Sequence, residues 1–232
     1  TSSRIAHYGD GAHQFERIEM LDGQMRRVFR HDDVVQTMWP AIKLAVIEQR
    51  VSLASFPALM RDKSPERLLE RYALRAEGSD RIAGYDAQVF VLQPRDEHRF
   101  GHRLWVDERS GLMLRADVLG PDGRVLESAA FSEVTIGVRP QPDAVLQSMK
   151  KLDGYRVLRR PELTRTRLDA EGWVLKEVAG FTLINCVKRT AEAEAGGAAG
   201  SEMVQSVLTD GLTHVSVFIE PFHAERHRPV QT

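Results

Sequence analysis

His223 and His227, four residues apart with Glu225 between them, come nearest to a hydrolase pattern in this chain. On a helix, two histidines at that spacing share one face and would hold zinc, but the zinc-protease pattern puts glutamate directly after the first histidine, where Ala224 stands here. A zinc site also needs three or four convergent ligands. No strong helix signal surrounds the motif, so a solvated loop is the better reading. His98 and His102 share a strand face if the segment is extended, which would suit a metal pair, a pH-sensitive patch or plain edge polarity. Arg95, Arg99, Arg103 and Arg115 fall on the same run of strands. Guanidinium forks match phosphate, so they form either a basic patch for lipid headgroups or a solvated sheet face.

Cys186 is the single cysteine and follows Leu183 and Ile184 in an apolar run. With no activating motif beside it, it is expected to be a buried structural thiol, and one cysteine excludes an internal disulfide or multi-cysteine metal site. Residues 195–200 (AGGAAG) lack the lysine of a phosphate loop. No catalytic constellation, metal or cofactor follows from these residues, and the chain is not expected to be an enzyme. Residues 51–60 (VSLASFPALM) are different: apolar, without alternation, and interrupted by Pro57. Such a stretch suits either a flap over a cavity or an ordinary packed loop, with Met60 adaptable in shape. Met38 and Trp39 just upstream favour the cavity. Met38, Trp39, Leu53, Phe56, Leu59 and Met60 are therefore the expected acyl-binding residues.

The elements that carry these residues are mostly strands. Short apolar runs at 5–8, 15–21, 25–30, 34–39 and 42–51 are separated by turn signals such as Asp22 with Gly23 and the pair Asp32 and Asp33, which accept the positive φ that tight hairpins need. Ser64 and Pro65 can cap and open a helix, with Leu68, Leu69 and Tyr72 following at helical spacing over 65–72. From Ala87 to Ile136 the alternation is clearer, and a three-stranded antiparallel meander closes it. Pro140 and Pro142 argue against helix or central strand and mark a boundary. Beyond it, strands are expected at 155–157, 173–179, 180–189, 202–208 and 212–220, and a loop poor in bulky side chains at 192–200.

The 232 residues suffice for one large domain or two modest ones. A net charge of −1 gives no global pull toward nucleic acid or an anionic membrane, and no apolar run reaches the length of a membrane-spanning helix.

Several segments together resemble the RseB/MucB family. They are 81–87 (RIAGYDA) with 92–96 (LQPRD), 98–107 (HRFGHRLWVD), 110–116 (SGLMLRA), 180–186 (GFTLINC) and 206–220 (SVLTDGLTHVSVFIE). The resemblance spans nearly the whole chain, and its specificity lies in the order and spacing of the segments. It implies an α+β protein. Residues 1–139 would be a lipoprotein-carrier-like domain, a curved antiparallel sheet shaped as a half-barrel with helices; residues 140–152 would be a linker; and 153–232 would be a smaller C-terminal α/β domain that binds the partner. It also implies a periplasmic negative regulator of an envelope-stress sigma factor. Such a protein binds the periplasmic part of a membrane-anchored anti-sigma factor, shields it from site-one protease, and lets go when lipid or lipopolysaccharide binds.

Arg159, Arg160, Arg165 and Arg167 are the expected partner contacts, a solvated basic stretch being the competing reading. A carrier of lipid or lipoprotein with no regulatory partner is the alternative function. Family members also have residues before the first strand and a strand pair and helix after the Phe222 region, so an incompletely covered second domain is expected.

Overall fold

The computed structural model describes residues 1–9, 12–50, 65–161, 163–190 and 202–222. Three sheets carry almost all of the regular structure. The first is built from β1 (Ser3–Gly9), β2 (Gln14–Met20), β3 (Arg27–His31), β4 (Val34–Trp39) and β5 (Leu44–Gln49), each antiparallel to the one before. The expected turns hold them: Gly23 has φ 68° and Asp32 φ 51°, and two residues link β3 to β4, where His31 pairs with Val34. A single 3-10 turn at Pro40–Ile42 leads into β5.

The expected linker at 140–152 is instead largely helical. Helix α2 (Pro142–Lys150) starts with proline in its first turn, where the missing N–H is not needed, and has Asp143 and Lys150 at the ends that suit their charges. Its apolar face lies on the first sheet. Val145 is fully buried among Phe15, Phe29, Met38 and Ala45, flanked by Leu146, Met149 and Leu152. After the helix, β11 (Arg156–Arg159) runs parallel to β5 and completes the six-stranded sheet. It had been expected in the second domain.

The second sheet follows helix α1 (Pro65–Arg71), which lies where the sequence places it. Strands β6 (Tyr72–Ile82), β7 (Tyr85–Pro94), β8 (Gly101–Asp107), β9 (Met113–Leu119) and β10 (Val125–Ala130) pair antiparallel in chain order. The three-stranded meander is thus part of a five-stranded sheet. Alternation gives it two packed faces. On one, Tyr72, Leu92, Leu104, Met113 and Ala116 gather with Leu212 from far along the chain. On the other, Ala87, Val89, Trp105 and Leu114 are covered by Phe131 and Val134.

The third sheet comprises β12 (Thr164–Arg165), β13 (Thr182–Thr190), β14 (Glu202–Thr209) and β15 (His214–Ile219), all antiparallel. Residues 173–179 were expected to be a strand but have no regular structure. Trp173 donates its N–H back to the Leu168 carbonyl, closing a turn rather than joining a ladder. Among the described residues this C-terminal unit is built of strands and turns, without a helix. No described helix is long and apolar enough to cross a membrane.

Candidate functional site

The β14–β15 hairpin reaches into the second sheet, and Asp210 at its tip joins the two. Oδ1 accepts the backbone N–H groups of Leu212 (3.0 Å) and Thr213 (2.8 Å), which shapes the turn. Oδ2 accepts the Tyr72 hydroxyl (3.1 Å) and Arg99 Nε (2.9 Å), both from the other unit. Gly211, at φ 104°, supplies the bend that no other residue type takes cheaply. Leu212 then enters the core around Tyr72.

Arg99 uses its whole fork. Besides Asp210 it binds the Asp96 carboxylate and donates from Nη2 to the Ala179 carbonyl (2.8 Å), with its plane 5.0 Å from the Phe181 ring centre. Its side chain is 3% exposed and that of Asp210 0%, so this is a buried ion pair between units. Burial and the neighbouring Asp210 carboxylate hold the Tyr72 hydroxyl well above the ordinary range, so it stays a donor. His102 lies beside them, 6% exposed, its ring edge-on to Tyr72. Neither of its nitrogens meets a hydrogen-bond partner among the described residues. Burial pushes its pKa below the ordinary value, with Asp210 pulling the other way.

Gly180, at φ +77°, sits where a Cβ would press on the side chains of Arg99 and Arg71. Gly180→Ala is expected to lower stability by about 1 kcal/mol, through left-handed backbone strain and displacement of the Arg99 fork. The urea midpoint checks this; an unchanged midpoint would mean that the approach is not tight.

Beside this joint runs an open groove of about 1030 Å³. Arg71 and Glu70 from α1 form one wall, and the C-terminal unit supplies the rest. Trp173, Val174, Val178, Leu183 and Ile184 line it with large, solvent-exposed apolar surface. Exposed apolar surface gathered along a groove is what interaction sites present, and among the described residues nothing covers it here. Arg165 and Arg167 also line it, Arg167 in an ion pair with Asp169.

The expected residues divide accordingly. Arg165 and Arg167 reach the groove. Arg159 is exposed on β11, and Arg160 binds Glu48 of β5 at 2.9 Å. Met38 is 5% exposed and packs among Phe15, Phe29, Ala45 and Val145 beneath α2; Trp39 is half-buried at the end of β4. Leu53, Phe56, Leu59 and Met60 lie outside the described residues, as do His223, Glu225, His227 and the loop at 192–200. The arginines of the meander form no free basic patch. Arg99 pairs with Asp210, Arg103 with Glu77 and Arg115 with Asp117, while Arg95 donates to the Leu69 carbonyl. His98 precedes β8 and does not share a strand face with His102. Cys186 is buried, as expected, with the Ser206 hydroxyl at 3.4 Å.

The sequence pointed neither to the Asp210 junction nor to the groove wall at 173–184. Asp210 carried only a turn signal, and its partners are 111 and 138 residues away in the chain.

Residues 1–149 match the model of the MucB/RseB N-terminal domain, and 167–232 that of the MucB/RseB C-terminal domain. The sigma factor AlgU regulatory protein MucB of Pseudomonas aeruginosa is 31% identical over 224 residues, covering 92% of this chain and 62% of the relative. The sigma-E factor regulatory protein RseB of Haemophilus influenzae is 24% identical over 221 residues, covering 94% and 66%. The chain therefore spans less than two thirds of the length of these relatives. Among solved structures, a crystal structure of MucB overlaps with a TM-score of 0.62 at 26% identity, over 97% of this chain and 70% of that one. MucB in complex with MucA(peri) overlaps at 0.60 and 26%, over 94% and 68%.

Proposed function

The chain belongs to the MucB/RseB family, and from that premise we propose that it is a periplasmic negative regulator of an envelope-stress sigma factor. It binds the periplasmic segment of a membrane-anchored anti-sigma factor and hides that segment from site-one protease. The observation that carries this reading is the groove at the joint, exposed and apolar along 173–184 and edged by Arg71, Arg165 and Arg167. An amphipathic segment with apolar anchors fits such a surface, its polar flanks meeting a rim that mixes Arg71, Arg165, Arg167 and Lys176 with Glu70, Asp169 and Glu177. The likeness to a MucB structure solved with MucA(peri) supports the same partner class.

Binding competes with proteolysis, because a segment seated in the groove cannot also occupy a protease cleft. Release by lipid or lipopolysaccharide requires that the acyl ligand prefer the state that holds the segment less well. The joint offers a means: the same hairpin that carries Asp210 and Leu212 also joins two strands of the groove-bearing sheet.

The test mixes the purified protein with the periplasmic fragment of its cognate anti-sigma factor and follows fluorescence anisotropy with and without added lipid. Tight binding, weakened by lipid, is expected. Arg165→Glu combined with Arg167→Glu should weaken it about tenfold at unchanged melting temperature, since rim charges act mainly on encounter. Absence of a complex with the matched fragment rejects the regulator and leaves a lipid carrier without a partner. A complex indifferent to lipid rejects the release step alone.

A further inference from the structure

We propose that His13, His31 and Asp32 form a binding site for a first-row divalent transition cation, zinc foremost, at one end of the first sheet. Their donor atoms all lie within 4.8 Å of one another. Strand pairing places them: His13 immediately precedes β2, His31 ends β3 opposite Phe15, and Asp32 opens the turn into β4.

The cluster is held before any ion arrives. Asp32 donates its N–H to the Gln14 carbonyl (2.9 Å), and the Gln14 N–H donates to Asp32 Oδ1 (2.9 Å). This closed pair fixes one carboxylate oxygen and leaves Oδ2 facing the imidazoles. Oδ2 lies 2.8 Å from His13 Nδ1 and 3.5 Å from His31 Nε2. In a tetrahedral zinc site, donors about 2.0–2.1 Å from the metal are about 3.3 Å apart, so the two carboxylate–imidazole separations bracket that edge, while the three donors together lie within 4.8 Å. The His31 ring is stacked on Phe15, with centres 4.7 Å apart and planes 7° from parallel, and the His13 ring is 5.4 Å from that of His31. Phe15 is itself 7% exposed, a fixed wall that sets the ring orientation.

Donor chemistry selects the class of ion. Two imidazoles and one carboxylate suit zinc, nickel and copper, whereas calcium and magnesium prefer all-oxygen shells. The site faces solvent, so water completes the coordination and the ion exchanges. The proton shared between His13 Nδ1 and Asp32 Oδ2 leaves to solvent as the metal takes its place. His13 and Asp32 are already joined through that proton, which places two of the three donors together before the ion arrives.

Calorimetric titration of the whole chain with zinc chloride, and visible absorption with cobalt chloride, test the site. One ion per chain is expected, with cobalt bands of a tetrahedral or five-coordinate centre. His13→Ala and His31→Ala should each weaken binding at least about tenfold, because even outer partners of metal ligands matter on that scale. Asp32→Asn keeps a residue that tolerates the left-handed backbone and keeps the Gln14 contact, so it tests the carboxylate without disturbing the turn. It should weaken binding similarly. His7→Ala, on the neighbouring strand, should leave affinity unchanged. Zinc affinity that survives His31→Ala at the wild-type level places the ion elsewhere and overturns the proposal, as does no heat and no cobalt spectrum at millimolar metal.

Discussion

Asp210→Ala is expected to destabilise the protein by about 3 kcal/mol, the low end of the range for removing one partner of a buried ion pair, because Arg99 keeps Asp96 as a second partner. In a chain of 232 residues that corresponds to roughly 10 °C in melting temperature. The size follows from what is left behind. Arg99 remains 3% exposed with Nε unanswered, and the Tyr72 hydroxyl loses an acceptor in a core that holds no water-facing surface around it. The N–H groups of Leu212 and Thr213 also lose the oxygen that shapes the turn. Leu212 is then free to leave the cluster around Tyr72, and the contact between units weakens with it. Hydrogen exchange gives the local signature: amides of β8 and β15 should open faster than those of β2 and β3, which are far from the joint in the topology. Replacing the pair together, Arg99→Met with Asp210→Leu, should recover only the part of the loss that comes from the half-answered Arg99 fork, because the Tyr72 hydroxyl and the turn N–H groups still lack their acceptor. A melting temperature for Asp210→Ala within about 2 °C of wild type would mean that the joint contributes little and that the units are held by other contacts.

The sequence disclosed this architecture unevenly, for physical reasons. Strands β1 to β5 were legible mainly because their hairpins need residues that accept positive φ, Gly23 and Asp32 among them, and β7 to β9 because apolar and polar residues alternate along them. Strand β6 was not recognised: between Tyr72 and Ile82 nearly every residue is exposed, and the register shifts between Ala76 and Gly78. Helix α2 was hidden by Pro140 and Pro142, read as breakers, although a proline in the first turn is equally a start signal, and Val145, Leu146 and Met149 give the apolar face. The opposite error was made at 173–179, where Trp173, Val174 and Val178 read as a strand. Val174 is 94% exposed, because the segment borders the groove and no sheet face covers it. Apolar residues exposed along a groove look, in sequence, like residues kept inside for a core. Of the four arginines expected to contact a partner, the two that reach the groove are those beyond β11, where the chain has left the first sheet. Met38 packs against a helix not foreseen at 142–150, while Leu53, Phe56, Leu59 and Met60 of the same expected set lie outside the described residues.

His102→Leu is expected to raise stability by about 2 kcal/mol at pH 7.5, since two buried nitrogens that meet no partner among the described residues each forgo the hydrogen bond they make in water. Leucine of similar volume would pack on Tyr72, Leu92 and Leu104 without that loss. The same residue sets a pH dependence whose direction is fixed. In the folded chain burial holds the imidazole neutral below its ordinary value of 6.5, and the nearby Asp210 only partly opposes this. In the unfolded chain it titrates normally. As pH falls below about 6.5 the unfolded state takes up a proton that the folded state refuses, so stability drops until the folded pKa is reached; above that window both forms are neutral and nothing changes. His214, on β15 near the same carboxylate, is shifted down by burial as well and acts in the same sense. Carboxylates held low by their partners, such as Asp32 and Asp107, lose their contribution only below about pH 4, so the two windows separate. Urea unfolding from pH 7.5 to 5 should therefore show the wild-type midpoint falling and the His102→Leu midpoint falling less, the remainder belonging to His214. Equal slopes for the two proteins would show that His102 accepts its proton in place.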